Sequence, residues 1–178
     1  MRYYRIQQNK EYANAPRTSD MNEKLDTKNF YLNRSYNIPL RTVINIHPNR
    51  NISRVDFLYQ TIPLISSRIK DVIERFENGV IYKEVVLFDP ETTWNQMYYI
   101  PFFYRLSSDV LLSPSIRELS SGRESTDPIK LKLPHTLPVF CISNRSSYNL
   151  FMRIDLTESL LRNGARGLKL SEANDLEG

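Results

Sequence analysis

Pro63-Leu-Ile-Ser-Ser-Arg-Ile-Lys-Asp-Val-Ile-Glu-Arg-Phe-Glu-Asn-Gly-Val-Ile-Tyr-Lys-Glu-Val-Val-Leu-Phe88 reads as one helix followed by one strand, and the fold is decided there. Ile69, Val72, Ile73 and Phe76 recur at i, i+3, i+4 and i+7, so they share one face of a 3.6-period helix. Arg68, Lys70, Asp71, Glu74 and Arg75 fall on the other side. Ser66 or Ser67 stands where a cap is needed, and Asn78-Gly79 offers residues that tolerate a left-handed helix end. A helix over about 66–78 is expected, and the β-branched run from Val80 reads as a strand packed beneath it.

Upstream, Arg2 to Gln7 reads as a short first strand carrying Tyr3, Tyr4 and Ile6. Residues 9–39 break the pattern: Asn, Asp, Lys, Thr and Ser dominate, Pro16 and Pro39 punctuate, and apolar residues stand singly except at Phe30-Tyr31-Leu32. The expectation is a long polar loop with one helical turn near Met21 to Leu25; a loop of this length is usually functional or mobile. Leu40 to Ile46 and Val55 to Tyr59 read as strands on either side of a turn at His47-Pro48.

Downstream, the aromatic run Met97 to Leu106 is broken by Pro101. A proline cannot donate to a ladder, which puts that strand at an edge, at a bulge or at a split. Ser113 to Leu119 suggests a short helical turn, and Ser120 to Pro134 a polar, exposed stretch. Pro138 to Ser143 and Tyr148 to Ile154, joined by Asn144-Arg-Ser-Ser147, form the clearest hairpin. Asp155-Leu-Thr-Glu158 has the form of a capping box for a helix over about 156–163, with Gly164 as its stop. Gly167 to Leu170 makes a brief last strand, and residues 172–178 are expected to fray. The units at 64–84 and 154–172 echo one another as cap, amphipathic helix, glycine and strand, which suggests two helices against one sheet. The fold class is α+β: a mostly antiparallel sheet, two amphipathic helices and a long N-terminal loop within one domain spanning 1–178.

Length and composition agree with this. A chain of 178 residues, 40% hydrophobic, buries one sizeable core. No apolar run approaches the ~20 residues needed to cross a bilayer, and Met1 to Lys10 lacks the apolar core of an export signal, so a cytoplasmic location is expected. The net charge of +4 is uneven: residues 1–54 hold 10 Lys and Arg against 4 Asp and Glu, whereas 55–178 hold 14 against 16. The basic third carries no Lys/Arg run, which favours a solvated loop over a dedicated nucleic-acid patch.

Reactive chemistry is thinly represented. The single cysteine, Cys141, sits in the apolar Val139-Phe-Cys-Ile142 and reads as a small core side chain. The two histidines, His47 and His135, each adjoin a proline, and neither His-x-x-x-His nor Cys-x-x-Cys spacing occurs, so no metal is expected. Asp71, Glu74 and Glu77 lie on a solvated helix face. With 5 glycines and no Gly-rich phosphate loop, no cofactor is expected either. Tyr98, Tyr99, Phe102, Phe103 and Tyr104 alternate along a strand, so core packing outweighs base stacking. Tyr12, Tyr31, Arg34 and Tyr36 differ in standing within the polar loop, and their types are enriched where protein partners bind.

Val55-Asp-Phe-Leu58, Pro63 to Ile73, Gly79-Val-Ile-Tyr82, Met97-Tyr-Tyr-Ile100, Phe151 to Arg162 and Gly167-Leu-Lys-Leu170, in that order, resemble the bacterial immunity proteins of the DUF1629 (Imm11-like) group. The resemblance covers about residues 53–172. It implies a cytoplasmic α+β protein, not an enzyme, that neutralises a cognate polymorphic toxin by stoichiometric binding. The alternative is a nucleic-acid-binding or regulatory module that uses the basic N-terminal third, which predicts steeply salt-dependent binding to single strands.

Overall fold

The computed structural model of the chain describes residues 1–106, 129–131, 137–143 and 148–175. Among them are, in chain order, strand β1 (Arg2–Gln8), helix α1 (Met21–Lys24), strands β2 (Arg41–Asn45), β3 (Phe57–Tyr59) and β4 (Pro63–Ile65), and helix α2 (Ser67–Ile73). Then follow β5 (Ile81–Phe88), β6 (Asn95–Phe102), β7 (Arg105–Leu106), β8 (Ile129–Leu131), β9 (Val139–Ser143), β10 (Tyr148–Arg153), helix α3 (Ile154–Arg162) and β11 (Leu168–Asp175). Two short 3-10 segments, Thr27–Asn29 and Leu32–Asn37, punctuate the N-terminal region. The turns expected at Ser113–Leu119 and Asn144–Ser147 lie outside the described residues.

The strands make two sheets, a six-stranded one in the order β7-β9-β10-β1-β11-β8 and a five-stranded one in the order β2-β5-β6-β4-β3. Parallel pairing occurs only at their margins, between β7 and β9, β11 and β8, and β2 and β5. Every interior pair is antiparallel, in keeping with the α+β expectation. Alternation along β5 sends Lys83, Val85 and Leu87 to one face and Tyr82, Glu84 and Val86 to the other. Pro101 is accommodated because β4 meets β6 only at Tyr99, so beyond that point β6 has a ladder partner only in β5.

The repeated units of the sequence are real, but each helix serves its own sheet. β4, α2 and β5 form a strand–helix–strand unit whose two strands flank β6; β10, α3 and β11 do the same around β1. Helix-to-helix, the units face each other: Ile69, Val72 and Ile73 of α2 and Leu156 and Leu160 of α3 share one cluster with Ile6, Leu150, Phe57 and Ile65 from both sheets. Sequence alone merged the two sheets because periodicity reports which face is buried, not which sheet it meets.

Several boundaries differ from expectation. Pro63-Leu-Ile65 is a strand, antiparallel to β3, and α2 is shorter than 66–78 because it ends at Ile73, so Phe76 reaches the core from the turn that follows. Ser66 is the N-cap by position, but its hydroxyl donates to Asp56 Oδ1 at 2.7 Å instead of accepting from the helix. The positive φ angles at glycine belong to Gly164 and Gly167, not Gly79. Helix α3 begins at Ile154, so Asp155 lies inside the first turn. It accepts two bonds from Arg153 and one from the Leu156 amide, and no capping box forms. Ile129–Leu131, read as part of a polar exposed stretch, pairs with β11. The tail expected to fray from 172 is ordered through Asp175, because Glu172, Ala173 and Asn174 pair with Tyr4, Tyr3 and Arg2.

The largest revision concerns residues 9–39. They are no solvated loop: Ala15, Met21, Leu25, Phe30 and Ile38 are buried against Ile44, Leu58, Leu64, Val85, Leu87 and Ile100, forming a layer over one face of the five-stranded sheet. The spacing of these anchors, four to eight residues apart, keeps neither helix nor strand period along the segment and is therefore invisible to a pattern search.

One carboxylate joins the two units. Asp56 Oδ1 accepts from Ser66 at the start of α2, and Oδ2 accepts the Arg166 amide at 2.7 Å from the turn after α3, with Arg68 Nη1 3.6 Å away. Its backbone joins in: the Asp56 amide donates to Arg166 O and the Ser66 amide to Asp56 O, both at 2.8 Å. Beside it, Gly167 has φ +84°, and a Cβ there would lie 2.8 Å from the Val55 Cβ, so only glycine permits this approach. Asp56→Ala strands a hydroxyl and an amide together and is expected to cost about 2–4 kcal/mol by urea denaturation. Leu25→Ala, harmless if residues 9–39 were a free loop, is expected to cost about 2–4 kcal/mol in the same measurement.

Candidate interaction face

Buried apolar anchors dictate what the N-terminal layer shows to water. Five of the nine exposed large hydrophobic residues among the described ones lie between Tyr31 and Val43. Phe30 is buried, while Tyr31 (46% exposed) and Leu32 turn outward; Tyr36 and Leu40 are each 77% exposed, and Val43 48%. The tripeptide Phe30-Tyr31-Leu32 thus divides its labour, one ring tethering the layer and the next two side chains facing solvent. Single exposed apolar residues need no explanation, but a concentration in one run does.

The expected partner-binding residues are only partly brought together. Tyr31, Arg34 and Tyr36 sit in or beside the 3-10 segment Leu32–Asn37 and are exposed. Tyr12 stands apart, half-buried against the core of the N-terminal layer. Leu40, Arg41 and Val43, read from sequence as ordinary strand residues, join the exposed run because β2 lies at the margin of its sheet. Position in a sheet is not encoded by alternation, so nothing in the sequence marked them. From Thr27 to Val55 the chain carries five Lys and Arg and no Asp or Glu, of which Arg41 is paired with Glu84.

Arg105 of β7 fixes the layer to the six-stranded sheet. Its guanidinium lies 3.8 Å above the Tyr31 ring and 5.6 Å from that of Tyr148, and Nη2 donates to Phe30 O at 2.9 Å. A guanidinium stacked on one aromatic face and bonded to the adjoining carbonyl holds Tyr31 in place. Tyr31 is in this way both exposed and positioned, as an interface anchor needs to be.

The face of the five-stranded sheet away from the N-terminal layer continues the apolar character. Cross-strand register puts Val43 beside Val86 and Val86 beside Met97, and none of the three belongs to a core cluster. Arg41 and Glu84 form the next row, joined by an Nε–Oε2 contact of 2.6 Å. Farther along that row, α2 takes over: Lys70 Nζ stands 5.1 Å from the Tyr82 ring and 5.5 Å from Tyr99, and Glu74 pairs with it at 2.7 Å. Burial pushes the Tyr82 phenol well up, with Glu74 adding to the effect, so it stays neutral.

Among the described residues, Cys141 meets Tyr148 and Arg105 in a largely buried cluster. Cys141 is buried, and that burial pushes its thiol up, leaving little thiolate at neutral pH. Tyr98, also pushed up by burial, donates to Val55 O at 2.7 Å as a structural tie. The carboxyl of Asp89 is held below its ordinary value chiefly by the Thr92 hydroxyl, with the Glu91 and Thr92 amides assisting, and serves the turn between β5 and β6. A cleft of about 310 Å³ is lined by Arg17, His47, Asn49 and the apolar Ala13, Pro16 and Ile52, and no carboxylate is among its lining residues. No group of three His, Cys, Asp or Glu residues in metal-holding geometry occurs among the described residues, and no helix there is long and apolar enough to cross a membrane.

Arg105→Ala removes the stacking and the Phe30 bond and is expected to cost about 1–3 kcal/mol, with faster amide exchange across residues 30–37. Tyr36→Ala and Leu40→Ala, whose side chains face water, should leave stability within about 0.5 kcal/mol, as read from thermal unfolding. Neither a protein-family model nor a curated protein sequence matches the chain.

Proposed function

We propose that the chain is an immunity protein that neutralises a cognate bacterial toxin by stoichiometric binding, without turnover. The observation that carries this reading is the concentration of exposed apolar and aromatic side chains between Tyr31 and Val43, set in a run with five cations and no carboxylate. Tyrosine and arginine supply rigid, amphipathic contact area at low entropic cost, and a cationic field steers an acidic partner. The resemblance of residues 53–172 to DUF1629 immunity proteins supports the same reading and favours a cytoplasmic site of action. Tyr31, Arg34 and Tyr36 are assigned to the contact surface; Tyr12 supports the layer from behind.

Co-expression with the toxin encoded beside the gene is expected to restore growth and to yield a copurifying complex of fixed stoichiometry. Tyr36→Ala combined with Leu40→Ala should weaken that complex at least tenfold in titration calorimetry while the fold persists. Growth inhibition that persists, with no complex recovered, overturns the proposal. Tight binding of single-stranded RNA that collapses between low and physiological salt would replace it with nucleic-acid recognition.

A further inference from the structure

The margin of β2 is half covered and half open. Leu40 O accepts the Glu84 amide and the Ile46 amide donates to Phe88 O, so even-numbered residues of this strand face β5 and odd-numbered ones face outward. Toward its C-terminal end the outward groups are occupied: Asn45 N–H donates to Asp20 Oδ1, Asn45 O accepts the Ser19 amide, and Val43 O accepts Lys24 Nζ. Around Ile46 the chain pairs with itself, through an antiparallel bridge to Thr18 flanked by the bond from the His47 amide to Arg17 O. That pairing stops after Ser19 because the chain turns into α1 at Met21. The Arg41 N–H, the Arg41 C=O and the Val43 N–H are left without a protein partner among the described residues.

We propose that this open half of β2 accepts an extended, acidic segment of a protein partner as an added strand, continuing the pairing that residues 17–19 begin. The inference rests on the binding reading above and specifies its mode. Main-chain groups at Arg41 and Val43 supply three ladder bonds, and the exposed Val43 side chain meets the apolar residues that alternate on its own face of the incoming strand. Charge selects the occupant. Lys28 and Arg34, exposed in the chain ahead of β2, make no ion pair among the described residues, whereas Lys24 is already paired with Asp20 at 2.6 Å and stays on Val43 O. A second copy of this chain would bring the same cations against themselves, which disfavours β2-to-β2 pairing.

Three labelled probes test this on the full chain: a nine-residue peptide alternating Glu and Val, its Lys-Val counterpart, and an oligouridylate. The acidic peptide is expected to bind and to slow amide exchange at Arg41 and Val43. The basic peptide should bind at least tenfold more weakly. Val43→Pro deletes an outward N–H and spares the bonds to β5, so it is expected to reduce acidic-peptide binding at least tenfold and leave the far-ultraviolet circular dichroism unchanged. Should that variant fail to fold, amide protection in the unmodified chain decides. Absence of acidic-peptide binding, binding without protection at Arg41 and Val43, preference for the oligouridylate, or protection that tracks self-association each overturn it. A neighbouring-gene toxin that copurifies but leaves those amides unprotected refutes strand addition and spares the immunity reading; loss of that complex with peptide binding intact does the reverse.

Discussion

The Asp56 carboxylate is the constraint on which the two halves of the molecule depend. A half-buried anion is tolerated only when its oxygens are satisfied, and here Oδ1 answers the entrance of α2 while Oδ2 answers the exit of α3, with Arg68 of α2 nearby. Backbone bonds between Asp56 and Arg166 run alongside, and Gly167 removes the side chain that would otherwise hold Val55 away. With that junction made, the faces of α2 and α3 meet in one shared apolar cluster. Hydrophobic burial supplies the driving force there, but it has no direction; the polar junction sets the relative placement of the units.

The same division of labour holds for the N-terminal layer. Apolar anchors such as Met21, Leu25 and Phe30 supply burial, while specific polar ties fix where the layer lies: Asp20 on Asn45, Lys24 on Val43 O, Arg105 on Phe30 O. These ties also guard the C-terminal half of the β2 margin, a place where an uncovered strand would invite unwanted pairing. Exposed aromatic surface is thereby presented on a supported platform, which lowers the entropy lost when a partner docks.

How much of this was legible in the sequence follows from what each signal encodes. The faces of α2 and α3, the alternation in β5 and the β9–β10 hairpin were readable because burial imposes a period on contiguous residues. Caps were misread at Ser66 and Asp155, since a hydroxyl or carboxylate can turn to a distant partner that local spacing does not reveal. The buried anchors of residues 9–39 follow no period, and the two sheets could not be told apart because pairing partners lie far off in the chain. Of the contact residues, Tyr31, Arg34 and Tyr36 were legible from residue type within a polar stretch. Leu40 and Val43 were not, as only the strand order places β2 at a margin.

The position of β1 carries a consequence for how the protein comes into being. This strand lies between β10 and β11, both far along the chain from it, with Tyr3 matched to Arg153 on one side and Ala173 on the other. Residues through β11 must therefore emerge from a ribosome before Arg2 to Gln8 meet both neighbours. Until then Tyr3, Tyr4 and Ile6 stay uncovered, and the six-stranded sheet closes as a late, long-range event. A product truncated ahead of β10 and β11 therefore leaves Tyr3, Tyr4 and Ile6 without the two strands that cover them.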